Sequence, residues 1–465
     1  MSSSIINHEL HDAYMNYIKK AGQKLSSPLS NLNDMRKLHY EKRLKNEPYK
    51  AGEGHQDLNI EETLNDAFII DKFVNYLIEA EEDLLKSIPE YGLCVKAMNN
   101  DERISKQVNK YHRIFGMVQH ITHWTYISHI LSRLLSEYII ANEFNIDLFK
   151  RLYSDLENFL YNDNVLLAEI APLHFFALTN PASSIDLTGN LSIKKINGLE
   201  RFLTRTPTSY DLKHYFLSKV SYAIEYKLEI PKGFDIDYET QMKYYPSNMD
   251  SIFAAVISAL RLFQNGSVGT SSFLQVILLD LPIGGPKTTG LDFLGLEADS
   301  IGATYILDQN QIENFKEFWN DYHQLLIKIL DFKITKKDKL QNIKVALNRF
   351  NYGHQKRNSE DRVLDHVISL ESLLSKQDDP TDSITYKLAL RSARFVSQNP
   401  DEMERLYCKI KDLYSLRSKI VHGSFYESVG FDIHDHIRKC LRLYLSKLKA
   451  GQDHESIINS IDFAK

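Results

Sequence analysis

Apolar residues recur at helical spacing through the early part of the chain and again through its last third. Ala67–Phe68–Ile69–Ile70, Phe73–Val74 and Leu77–Ile78 form one amphipathic pattern, with Glu and Lys at the outer positions. Met117–Val118, Ile121, Trp124, Ile127 and Ile130–Leu131 form a second, extended by Leu134–Leu135. Asn46–Pro48 and Ala51–Gly54 read as loops. After Ala171 the texture changes to short β-like runs. These are Ser184–Ile193 with a turn at Gly189–Asn190, Val220–Ile230 stopping at Pro231–Gly233, and Ser271–Leu281 stopping at Pro282–Pro286. A helix is expected among them at Ser251–Phe263. From Gln309 the pattern is helical to the end, over 312–331, 336–351, 359–375, 383–398, 400–422 and 431–449, with Pro380, Pro400 and Gly423 as punctuation. The expected fold is mainly α with an α+β middle. It divides into a helical N-terminal region (1–165), a small α+β domain (166–308) and an all-α helical bundle (309–465).

Composition narrows the class. Over 465 residues, 43% are apolar and 25% charged, which excludes a disordered tail, a collagen-like fibre and a polytopic membrane protein. No run approaches the 18 apolar residues of a membrane span. The start, MSSSIINHELHDAYMNYIKK, is not a signal peptide, so a cytoplasmic protein with no membrane partner is expected. Cys94, Cys408 and Cys440 form no CxxC pair, which suits a reducing compartment and argues against a cysteine-rich zinc site. The net charge of −5 is unevenly spread: residues 309–465 carry 26 basic against 22 acidic side chains, and residues 1–308 carry 30 against 39. Such a balance fits a polyanion site at the C-terminal end only.

The most informative segment follows Pro400. Its apolar stripe runs Met403, Leu406, Ile410, Leu413, Arg417, Ile420, so Arg417 takes a position where the pattern asks for an apolar side chain. A guanidinium there needs a carboxylate partner, an escape to the helix edge, or a polar cleft. His422 follows five residues later, ahead of Gly423, a natural helix C′ residue. The negative end of the helix dipole favours the protonated ring, so His422 reads either as a capping histidine or as a group able to exchange protons near neutral pH. Ser418, one turn below, is a candidate hydrogen-bond partner for that ring. Glu371 and Arg391 each interrupt an apolar stripe, on consecutive helices. They read as a buried ion pair, or alternatively Glu371 orients Arg417.

Other signals are weaker. His120, His123 and His129 are not spaced as a metal site on a helix. Asp432–His436 reads as an acidic helix start rather than a metal site. Gly284–Thr289 lacks the leading glycine of a phosphate loop, and Asp235–Asp237 reads as solvated charge. No cofactor or metal is expected.

Arg417-Ser-Lys-Ile-Val-His422 matches the R-x4-6-H signature of HEPN domains, and Leu413-Tyr-Ser-Leu-Arg417-Ser-Lys-Ile-Val-His422-Gly423 resembles their Apea-like branch. Asp361–Asp365, Ser369–Leu374 and Leu388–Arg391 resemble the preceding helices of that branch, over about 309–450 in all. The α+β region ahead of it is reminiscent of ApeA-type phage-defence proteins. Ser418 stands where many family members carry Asn.

The resemblance implies a metal-independent endoribonuclease active as a homodimer. Two copies of Arg417 and His422 would share one cleft; on the residues' own spacing, Ser418 and Glu371 would stand in support. It also implies phage defence by abortive infection on tRNA or other host RNA, with a phage-derived trigger at the N-terminal region. The alternative it leaves open is a non-catalytic HEPN module for dimerisation or RNA binding.

Overall fold

A computed structural model describes residues 5–30, 77–179, 184–195, 222–231, 248–270, 274–277, 304–331, 339–376, 384–423 and 433–463, apart from 107, 109, 115–116, 142–144 and 357, together with Val74, Lys243 and Asp379. The expected loops at Asn46–Gly54, most of the Ala67–Ile78 pattern, Asp235–Asp237 and Gly284–Thr289 lie outside these residues.

The N-terminal region holds α1 (His8–Ser30), α2 (Glu82–Lys86), α3 (Pro89–Asn100), α4 (Glu102–Ser105), α5 (His123–Ala141) and α6 (Ile146–Tyr161). The Glu157 carboxylate on α6 accepts from the backbone N–H of Ile6 and Asn7 at 2.8–3.1 Å, fastening the entry to α1. A hairpin interrupts the expected helix: β1 (Lys110–Ile114) pairs antiparallel with β2 (Met117–Ile121), and α5 begins only at His123. Met117, Val118 and Ile121 satisfy a helical period by spacing alone. A five-residue run is too short to fix the period, and pairing with Lys110–Ile114 decides it.

The middle region is built on an antiparallel sheet. Its strands are β3 (Asn164–Leu173), β5 (Ser184–Thr188), β6 (Leu191–Lys195), β7 (Tyr222–Pro231) and β8 (Leu274–Ile277), in the order β5-β6-β7-β3-β8. Gly189 turns the β5–β6 hairpin at φ +54°, where a Cβ would be strained. A separate parallel pair joins β4 (Phe176–Leu178) to β9 (Tyr305–Leu307).

Helix α7 (Met249–Phe263) lies between β7 and β8 in sequence and is buried at Met249 and from Ser251 to Leu262. It packs on the helices that come after: α8 (Gln309–Leu330), α9 (Gln341–Gln355) and α13 (Ile433–Lys449). Arg261 of α7 is fully buried. It donates through Nε to the Val268 carbonyl at 3.0 Å and through Nη1 to the Asn351 side chain of α9 at 3.1 Å. Trp319 of α8 donates to Thr188 of β5 at 3.1 Å. The sheet and the C-terminal helices therefore share one packed core across residue 308.

The remaining C-terminal helices are α10 (Ser359–Leu374), α11 (Ile384–Val396), α12 (Pro400–Val421) and α14 (His454–Asp462). Capping groups from the sequence set several of their starts: Asp308 and Gln311 form a capping box on α8, and Asn399 caps α12 ahead of Pro400. The nine-residue α14 lies beyond the expected set and is started by Asp453. Among the described residues no helix is long and apolar enough to cross a membrane.

Candidate active site

Arg417 and His422 both lie at the C-terminal end of α12. The stripe that leads to them is fully buried only at Ile410 and Leu413, with Met403, Leu406 and Ile420 half-buried. Arg417 is 38% exposed and lies beside Glu371 of α10, Nη2 to Oε1 3.7 Å. That separation is an ion pair rather than a hydrogen bond. The Arg417 Nε is buried without a hydrogen-bond partner. The neighbouring Tyr414 phenol is also buried; burial first, then the Glu371 carboxylate, hold its proton far more tightly than usual.

His422 closes α12 as its C-cap and is exposed. Its N–H donates to the Ser418 carbonyl at 3.1 Å, and Gly423 follows at φ +67°, the left-handed C′ conformation read from the sequence. Ser418 and His422 meet through this backbone bond, and no side-chain hydrogen bond joins them. Five residues turn a helix by about 500°, so Arg417 and His422 diverge by roughly 140° and lie about 7.5 Å apart along the axis.

The expected Glu371–Arg391 pair does not form. Arg391 turns instead to Asp379 and Asp462, which bind it where it is 3% exposed. All five of its N–H donors are used. Nε and Nη2 donate to Asp462 at 2.7 and 3.0 Å, Nη1 and Nη2 to Asp379, and Nη1 also to the Leu374 carbonyl at 3.0 Å. Glu371 is thereby left to Arg417, as the alternative reading had it. The pairing was hidden because Asp379 lies in an interhelix segment and Asp462 on the unforeseen α14.

The three N-terminal histidines are not on one helix. His120 is on β2, paired with Tyr111, and His123 opens α5, where its Nε2 meets the Asn99 side chain at 2.9 Å. Histidines of the C-terminal helices are more tightly organised. His436 Nε2 lies 2.6 Å from Ser392 Oγ and 3.7 Å from Cys440 Sγ, all buried. His434 bridges His354 and His366 through both ring nitrogens, each at 3.2 Å. Their one sequence signal was an apolar-stripe position held by a polar ring, which Glu371 and Arg417 share.

No protein-family model, curated protein or solved structure matches the chain.

Proposed function

We propose that the chain is a metal-independent endoribonuclease of the HEPN type, acting as a homodimer on tRNA or other host RNA in phage defence by abortive infection. The observation that carries this reading is Arg417 itself: a guanidinium on an apolar stripe, half-exposed, supported by Glu371, with an exposed His422 one and a half turns beyond. Arg417 and His422 of one copy diverge around the helix, so a second copy is needed to complete a site. Val421, 61% exposed, and the half-buried Ile420, Leu406 and Met403 offer the apolar edge against which that copy would lie.

In such a cleft the RNA 2′-hydroxyl attacks the adjacent phosphorus while one His422 takes its proton. The bond from phosphorus to the 5′-oxygen breaks as the other His422 protonates the leaving oxygen. The paired Arg417 side chains stabilise the charge that builds on the phosphorane. The products are a 2′,3′-cyclic phosphate and a 5′-hydroxyl.

The test is incubation of the full-length protein with total RNA in excess EDTA, beside His422→Ala, with end-group analysis. Cleavage to cyclic phosphate ends that His422→Ala lowers by about 10²–10⁴-fold supports the reading. Salt-dependent RNA binding without cleavage, weakened by Arg417→Ala, would replace it with the binding-module alternative.

A further inference from the structure

His354, His366 and His434 sit on three different helices, α9, α10 and α13, and meet where these helices pack, with His366 buried and the other two half-buried. His354 Nδ1 lies 3.2 Å from His434 Nε2, and His434 Nδ1 lies 3.2 Å from His366 Nε2. The middle ring stacks on Phe350 at 4.6 Å between centroids and 15° between planes. His366 packs so tightly on α9 that a Cβ at Gly353 would fall 2.6 Å from its ring. Nδ1 of His366 is buried with no hydrogen-bond partner.

The geometry favours a proton chain over a metal site. His434 turns its two nitrogens to different neighbours, so the three rings do not converge on one point. Among the described residues no group of His, Cys, Asp or Glu is placed to hold a metal ion. In a chain of neutral imidazoles each contact needs one N–H and one lone pair, so a proton added at either junction puts two donors face to face.

The surroundings oppose that proton. The charged groups acting on the array are Arg261 from α7, Arg362 from α10 and Arg438 from α13. Two carboxylates on the same helices are already engaged: Asp365 by Arg349 of α9, Asp435 by Arg438 and Lys439. The Gly266 backbone beside His354 favours a charged ring, against burial and these cations. Burial, then Arg362, lowers His366 to about 3; burial, then neighbouring cations and rings, holds His354 and His434 well below the ordinary histidine range.

We propose that the His354–His434–His366 array is a proton-operated latch: neutral, it fastens α13 to α9 and α10, and proton uptake in mild acid releases them. The direction follows from linkage. In the opened form each ring regains an ordinary affinity near pH 6.5, so opening takes up protons below that pH and is indifferent to pH above it. The latch is independent of the nuclease reading, although α10 also carries Glu371.

The test is amide hydrogen exchange of the full-length protein at pH 7.5 and 5.5, corrected for intrinsic rates and followed by mass spectrometry. Peptides from 341–355 and 359–374 should lose protection at pH 5.5, by about tenfold if one ring is released and about a thousandfold if all three are. In His434→Phe, whose ring can keep the stack on Phe350, that acid response should vanish. His436→Gln should preserve it over the same peptides, since His436 faces Ser392 of α11. Protection unchanged at pH 5.5, or lost uniformly over the chain, overturns the proposal in the wild type alone, whether or not the variants fold.

Discussion

Replacing Arg391 by Met should cost the fold about 3–5 kcal/mol, the usual consequence of removing one partner from a buried ion pair. The guanidinium is 3% exposed, and its five donors join three pieces of chain: the last turn of α10 through the Leu374 carbonyl, the segment at Asp379, and the end of α14 at Asp462. Met matches the stem in length but supplies no donor. Among the described residues, Asp379, its side chain 2% exposed, would then keep its charge with only Lys387 and the Lys376 backbone N–H in reach. Asp462 would keep Lys376, to which it is bound at 3.0 Å. These remaining cations place the expected loss toward the lower end of the range. Urea unfolding at pH 7.5 measures it, and the cause can be separated from lost packing by a cycle. If an abandoned carboxylate is responsible, Arg391→Met combined with Asp379→Asn should cost clearly less than the two single changes summed. A loss below about 1 kcal/mol for Arg391→Met, or strict additivity in the cycle, would refute the reasoning.

Three further outcomes follow from the same structure. Gly353→Ala should destabilise by roughly 1–3 kcal/mol, because its Cβ would meet the His366 ring at 2.6 Å inside a packed core; an unchanged melting temperature would count against this. Burial raises the pKa of Asp379 and Asp462, but hydrogen bonds from Arg391 and lysine neighbours outweigh it and hold both below the ordinary carboxylate value. Their contribution is therefore full above about pH 5 and is lost as pH falls through and below about 4, so urea midpoints should drop there in the wild type and much less in Arg391→Met. Glu371→Gln should leave stability within about 1 kcal/mol, since its pair with Arg417 is partly exposed and 3.7 Å long; under the proposed nuclease reading it should also lower RNA cleavage through a misplaced Arg417, and full activity in that variant would remove Glu371 from the proposed site.

Several elements were legible in the sequence because the forces that fix them are local. The β5–β6 hairpin follows from alternating residues around Gly189, and α7 from a continuous apolar run. The α12 boundaries follow from Pro400 and Gly423. The off-pattern placement of Arg417 was equally local, and the structure puts it half-exposed at the end of that stripe. By contrast, β2 was mistaken for helix because a short apolar run carries no unique period, and the pairing that resolves it belongs to another segment.

The sequence by itself determined where charges interrupt apolar stripes, at Glu371, Arg391 and Arg417. Tertiary structure alone decided who meets whom. Arg391 turned from Glu371 to Asp379 and Asp462, Glu371 was left to Arg417, and His434 was set between His354 and His366. The reason is that periodicity assigns a side chain to a face, whereas a charge or a ring nitrogen is satisfied by contact at about 3 Å. Those contacts join residues as far apart as 391 and 462, and the packing of the helices brings them together.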